Sequence, residues 1–274
     1  MNVLQNKIDF AVIFSVKGAN PNGDPLNGNR PRVNYDGMGE LSDVCLKRKI
    51  RNRLMEAGQS IFVQSDDNRV DDYRSLKNRA EGILGQDIIK DGKRLFEKSC
   101  KTWIDIRTFG QVFAYGGEKK GEGVSIGIRG PVSIHSAFSV VPVEISSLQI
   151  TKSVSGEGDG EKKASDTMGM KHRVDHGTYY FFGSMNPQLA EKTGFSDEDA
   201  EAIKVILPKL FENDASSARP EGSMRVIKVI WWKHNCKSGQ YSSALVHGTL
   251  TVNPDGSYAL NNLDGLKPEE ISGF

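Results

Sequence analysis

Cysteine is scarce: Cys45, Cys100 and Cys236 are the three in 274 residues, odd in number and far apart. That argues against a disulfide framework and makes a reducing cytoplasm the expected location. No apolar run approaches the roughly 20 residues that a membrane-crossing helix needs, so no membrane association is expected. The opening MNVLQNKIDF lacks the apolar core and small-residue cleavage site of a secretory leader. Neither sign of charge is in excess: 36 Lys and Arg against 35 Asp and Glu leave a formal +1. A free-standing nucleic-acid binder usually carries more, so any such site has to be a local patch.

Catalytic signatures are missing as well. His135, His172, His176, His234 and His247 form no H-E-x-x-H, and no cysteine pair has ligand spacing. His172 and His176 are four apart but have no adjoining Glu and no helical context, and His234 beside Cys236 reads as chance. There is no G-x-S-x-G, no G-x-x-x-x-G-K-[ST] and no well-placed G-x-G-x-x-G. The expectation is a protein without metal, cofactor or enzymatic activity.

What is present is ordinary globular composition, 37% hydrophobic and 26% charged. Ile8, Phe10, Val12, Phe14 and Val16 alternate with Asp9, Ala11, Ile13 and Ser15, a period-two strand whose second face is also partly covered. The breaker-rich GANPNGDPLNGNRP (18–31) predicts an ordered or semi-ordered loop. Ser42 reads as an N-cap and Gly58 as the far end of a helix with Leu46, Ile50, Leu54 and Ala57 on one stripe. The polar text from Gln64 to Asp91 reads as a variable insertion. A second helix is predicted from about Gly92 to Ile104, buried along Leu95, Phe96, Cys100 and Trp103.

Val132–Val143 predicts a strand broken at Pro142. Ser153–Asp166 predicts a mobile loop or hairpin tip between the strand-like 147–151 and 178–183. Ser196 opens a helix with an acidic first turn that Pro208 should kink. Arg225–Trp232 and Ala244–Val252 predict two closing strands around a turn at Ser238-Gly239. The order β-α-(α)-β-β-α-β-β gives an α+β fold class, with the ferredoxin-like arrangement of RNA-recognition domains.

Three constellations bear on function. Lys47, Arg48, Lys49, Arg51 and Arg53 fill five of seven consecutive positions with no acid among them. Such a run can be a plain solvated face. Two features set it apart: a solvated face usually interleaves acids for i,i+4 pairing, and this helix follows a loop holding Arg30 and Arg32. Cations one helical turn apart, such as Lys47 and Arg51, can match a phosphate repeat. The Gly/Asn loop serves equally as a backbone-donor surface for a strand or as a plain loop, and turn chemistry accounts for Asp24 and Asp36. Met168-Gly169-Met170-Lys171-His172-Arg173 sets unbranched apolar side chains beside cations at the end of a loop; it can wedge against bases or tuck onto the core.

Seven strings occur in order: N-P-N-G-D-P (20–25), N-R-P-R (29–32), L-S-D-V-C-L-K-R-K-I-R-N (41–52), D-I-R-T-F-G (105–110), R-G-P-V (129–132), T-M-G-M-K-H (167–172) and L-A-E-K-T-G-F-S-D-E-D (189–199). Together they resemble the backbone subunit of the type I-C CRISPR Cascade complex, of the Cas-seven family, over residues 8 to 232 or so. The resemblance implies a modified ferredoxin-like or RNA-recognition-motif palm with inserted finger and thumb subdomains. It is expected to form one domain over 1–274, with a fingers-like helical insertion at about 59–104 and a thumb-like hairpin or loop at about 147–178.

The resemblance further implies a subunit that lines up with copies of itself on CRISPR RNA and leaves guide bases free to pair with target DNA. Its other expected partners are the 5′-handle-binding and large subunits of Cascade. It carries an RNA-facing role to Ser42, Lys47, Arg48 and Arg51, and a place by the displaced base to Met168, Lys171 and His172. Asn20, Asn22, Arg30, Arg32, Arg107 and Arg129, from the same strings, complete the expected RNA-binding set. The Gly- and Glu-rich Ser153–Asp166 departs from an RNA-contacting composition. Two rivals remain: a metal-dependent endoribonuclease on the same fold using Asp24 or Asp36, and a nucleotide-binding enzyme using the Gly loop.

Overall fold

The computed structural model describes residues 2–116, 123–151 and 168–274. Its first half runs β1 (Ile8–Ala19), β2 (Gly23–Asp24), β3 (Arg30–Pro31), β4 (Met38–Leu41), α1 (Asp43–Glu56), α2 (Leu76–Leu84), α3 (Gln86–Ile89), α4 (Gly92–Thr102), α5 (Ile104–Phe109), β5 (Gly110–Tyr115) and β6 (Val124–Arg129). Its second half runs β7 (Val132–Ile134), β8 (Ala137–Pro142), β9 (Ile145–Thr151), β10 (Met168–Met185), α6 (Pro187–Thr193), α7 (Asp197–Ile206), β11 (Met224–Lys233), α8 (Ser243–His247), β12 (Leu250–Val252), β13 (Tyr258–Leu260) and β14 (Glu269–Ser272). This is a mixed α+β protein around one antiparallel sheet. None of the described helices is long and apolar enough to cross a membrane.

The sheet order is β14-β11-β1-β10-β8-β4, with β7 and β9 also pairing with β10. β1 lies at its centre because both of its faces are apolar. Ile8, Phe10, Val12, Phe14 and Val16 face a core shared with Leu46, Ile50 and Leu54 of α1 and Ala200, Ile203 and Ile206 of α7. Ala11 and Ile13 face a separate core with Ile230, Trp232 and Val246. Phe10 pairs with Gly183, where a Cβ would overlap its ring, so only glycine fits opposite. Ser42 caps α1 by accepting the Cys45 N–H at 3.3 Å. Each of Leu46, Ile50 and Leu54 is fully buried, and truncating any of them to Ala should cost about 2–5 kcal/mol. α7 has a complete capping box between Ser196 and Asp199, and Pro208 sits in the 3-10 turn Leu207–Lys209 that ends it.

A second core joins Phe62, Ala80, Leu95, Cys100, Trp103, Ile106, Phe113 and Ile128. It lies partly in the expected 59–104 insertion and continues through the β5–β6 hairpin, which the sequence reading did not anticipate. Burial pushes the Cys100 thiol up to about 12. The polar Gln64–Asp91 stretch is structured: Arg79 is buried and pairs with Asp71 through two contacts of 2.8 and 2.7 Å.

Three expectations need correction. Val132–Val143 does end at Pro142 but is not one strand: it also breaks at His135-Ser136, between β7 and β8. Met168 is not at a loop tip but opens β10, already paired with Thr151 of β9. Ala244–Val252 is not one strand: Ser242 caps α8 at 3.3 Å, the short β12 pairs with β13, and the place beside β11 belongs to β14. The expected loop Ser153–Asp166 lies outside the described residues.

Candidate nucleic-acid interface

The N-terminal loop is fastened to the start of α1. Asn20 is buried and its side-chain amide donates to the Asn29 carbonyl at 2.7 Å. Asn22 Oδ1 accepts both the backbone N–H and the hydroxyl of Ser42, at 3.0 and 3.1 Å. Asp24 Oδ1 caps the Leu26 N–H at 3.2 Å and lies 3.4 Å from Arg32. Asp36 is exposed in a turn, where its N–H donates to Asn34 Oδ1 at 2.9 Å. Both aspartates thus sit in turns, and Asp24 also pairs with Arg32.

Arg30 leaves this loop and donates to the Ser147 hydroxyl at 2.9 Å. The same hydroxyl lies 2.9 Å from His172 Nδ1. Two stretches read separately in the sequence, the loop and the segment around Met168, therefore meet at one side chain of β9. Ser147 was missed; the only local signal was the mixed polar text ISSLQIT of a strand without a buried face. On the β9–β10 ribbon, Met168, Met170 and His172 oppose Thr151, Gln149 and Ser147, whereas Lys171 opposes Leu148. Facing pairs alternate sides, so Met168 and His172 share one face and Lys171 occupies the other. Met168 is 65% exposed.

Three of the α1 cations, Arg48, Lys49 and Arg51, have partners that their own helix does not supply. Arg51 Nε donates to Asp105 Oδ2 at 3.0 Å, and Asp105, fully buried, also accepts the N–H groups of Phe62 and Val63 at 2.7 and 3.0 Å. Arg48 donates to the Val63 carbonyl at 2.6 Å. Lys49 pairs with Asp214 and Arg53 with Glu56. Burial lowers the affinity of Arg48 for its proton, with the neighbouring Arg51 charge adding to it, and burial does the same to Arg53. Lys47 pairs with Asp43 at 2.9 Å across one turn, a half-buried i,i+4 contact of a kind that contributes about 0.3–0.5 kcal/mol and can exchange for a ligand.

Arg107 is committed inside the fold. Its Nε and Nη2 clasp Asp199 at 2.8 and 2.7 Å, and its Nη1 donates to the Cys100 carbonyl at 3.3 Å, tying α5 to the cap of α7. Arg129 is exposed at the end of β6. The expected set therefore divides: Arg30, Arg32, Met168 and His172 project from the loop and ribbon, Asn20, Asn22 and Ser42 shape that loop, and Arg48, Arg51 and Arg107 brace the helices behind it.

The family model described as CRISPR-associated protein Cas7 matches residues 6–268. A curated CRISPR-associated protein Cas7 of Haloferax volcanii is 25% identical over 271 residues, spanning 94% of this chain and 78% of that protein. Among solved structures, a chain described as CRISPR RNA-guided surveillance complex, pre-nicking, aligns with a TM-score of 0.49 and 16% identity over 82% of this chain and 78% of its own. A chain of another CRISPR RNA-guided surveillance complex aligns at 0.44 and 18% identity, over 94% and 77%.

Proposed function

We propose, from the premise that this chain belongs to the CRISPR-associated Cas7 family, that it is the guide-binding backbone subunit of a type I-C Cascade surveillance complex. Copies assemble side by side on CRISPR RNA and present its bases for pairing with target DNA, alongside the 5′-handle-binding and large subunits. The role is structural, without catalysis. The palm is read as a modified RNA-recognition fold, supported by the antiparallel run β11-β1-β10-β8 with α1 and α7 packed on one face.

The observation that carries the reading is the meeting of Arg30 and His172 at Ser147. It joins a cationic loop to an exposed methionine ribbon, the two chemistries needed to hold a phosphate and lean on a base. Arg30, Arg32, Met168 and His172 are assigned the direct RNA contacts, with Lys47 available once its pair with Asp43 opens. Lys171, on the other face of the ribbon, and Arg129, at the end of β6, are assigned further backbone contacts. Asn20, Asn22, Ser42, Arg48, Arg51 and Arg107 are assigned the task of holding that surface in shape. Binding is sequence-blind, because phosphate contacts position a strand without reading it.

The test is purification of the full chain with absorbance at 260 and 280 nm and sizing before and after RNase. Copurifying small RNA in an oligomer that RNase collapses supports the reading. An RNA-free monomer that stays monomeric when guide-length RNA is added refutes it.

A further inference from the structure

A cleft of about 420 Å³ opens on the sheet at the end of β1. Cross-strand register fixes its floor: Ser15 lies opposite both Thr178 and Arg225, and Lys17 lies opposite His176. Facing residues share a side of the sheet. Ser15 and Lys17 alternate with Phe14 and Val16, which face α1, so the cleft is on the side of the sheet away from that helix. Neither Arg30, Ser147 nor His172 lines it.

Its two cations are free to take up an anion. Lys17 and Arg225 are exposed, and neither has an ion-pair partner among the described residues. Their backbones are diagonal neighbours across β1 and β11, roughly 7–8 Å apart, close enough for two long side chains to converge on one anionic group. Ser223 also lines the cleft, and its hydroxyl is buried without a hydrogen-bond partner among the described residues. A buried hydroxyl left unpaired is costly and usually has a partner. The cleft's one acid, Asp255, accepts the N–H and hydroxyl of Ser257 at Oδ1, at 2.9 and 2.7 Å, and the Thr178 hydroxyl is occupied in donating to the Pro254 carbonyl at 2.7 Å.

We infer that this cleft binds a phosphodiester group of a nucleic-acid strand, with Lys17 and Arg225 as the charge contacts and Ser223 as a neutral donor. The inference rests on the guide-binding reading. It adds to that reading a second contact on the other side of the sheet from α1. The phosphate can come from the guide further along its path or from a separate strand.

The experiment compares wild type with Lys17→Ala/Arg225→Ala in two arms. In the first, the full chain is titrated with guide-length RNA over a salt series. In the second, the RNA-saturated protein is titrated with labelled, unrelated single-stranded DNA. Two lost phosphate contacts should make the log–log salt slope shallower by about 1.4. A shift in the first arm assigns the guide as the source, and a shift in the second alone assigns a separate strand. Ser223→Ala should weaken the same arm about threefold to tenfold without changing its slope, because it removes a hydrogen bond and no charge. Lys17→Arg/Arg225→Lys should retain the wild-type slope, and both residues are exposed enough that the melt should not move. Wild-type slopes for the double Ala variant in both arms overturn the inference and leave the guide-binding reading standing. Wild-type protein that binds neither strand overturns both.

Discussion

Asp105 is the point at which the two lobes of apolar packing are tied, and replacing it separates a structural role for Arg51 from an RNA-binding one. The carboxylate is fully buried and accepts from Arg51, Phe62 and Val63 at 3.0, 2.7 and 3.0 Å. Asp105→Ala leaves a guanidinium whose side chain is 11% exposed and two backbone N–H groups without their acceptor. Breaking a buried pair from one side costs about 3–5 kcal/mol. At roughly 2–4 °C per kcal/mol for a chain of this size, Tm should fall by about 6–20 °C. Lys47→Ala, one turn before Arg51 on α1, should change stability by only about 0.3–0.5 kcal/mol. Differential scanning calorimetry of the two variants checks the contrast. An Asp105→Ala melt within about 2 °C of wild type would refute the claim that the helix cations are neutralised from within the fold.

Met168→Ala should leave the urea transition within about 0.5 kcal/mol, since the side chain is 65% exposed, while reducing oligomer size on guide-length RNA; unchanged assembly contradicts a wedge role. Burial raises the Asp9 carboxyl, but the hydrogen bond with His234 at 2.9 Å, the nearby His247 and Ser243 and the Lys7 charge more than reverse this and hold it well below 3.8. A depressed carboxylate contributes stability above its unfolded value and loses it as pH falls, so the gap between wild type and Asp9→Asn should narrow progressively from about pH 5 downward. A gap independent of pH in urea melts would contradict that. Added Mg²⁺ or Mn²⁺ should produce no cleavage of bound RNA or DNA on a gel; cleavage abolished by Asp24→Ala or Asp36→Ala would restore the nuclease reading.

Local signals carried the sequence reading a good way. The alternation of Ile8–Val16, the cap at Ser42, the acidic start after Ser196 and the stripe Leu95, Cys100 and Trp103 all depend on neighbours within a turn or two, and each appears in the structure. What the sequence hid is long-range. The acids that answer Arg51, Lys49 and Arg107 lie 54, 165 and 92 residues away, so a run that looks unpaired along the chain is paired in space. The same reason explains Ser147, whose importance comes from Arg30 at a separation of 117 residues. In α8 the alternation of Ala244–Val252 imitated a strand, and the stacking of His247 on Phe182 at 4.4 Å instead fixes a short helix against the sheet.

The central claim is that the loop and ribbon, rather than α1, hold the RNA. It is tested most directly by the salt dependence of RNA affinity for Arg30→Ala/Arg32→Ala, measured on two unrelated sequences. Both side chains leave the N-terminal loop, Arg30 toward Ser147 and Arg32 beside Asp24. The account predicts a slope shallower by about 1.4, equal for both sequences, with an unchanged melt. A wild-type slope and affinity in that variant would contradict it.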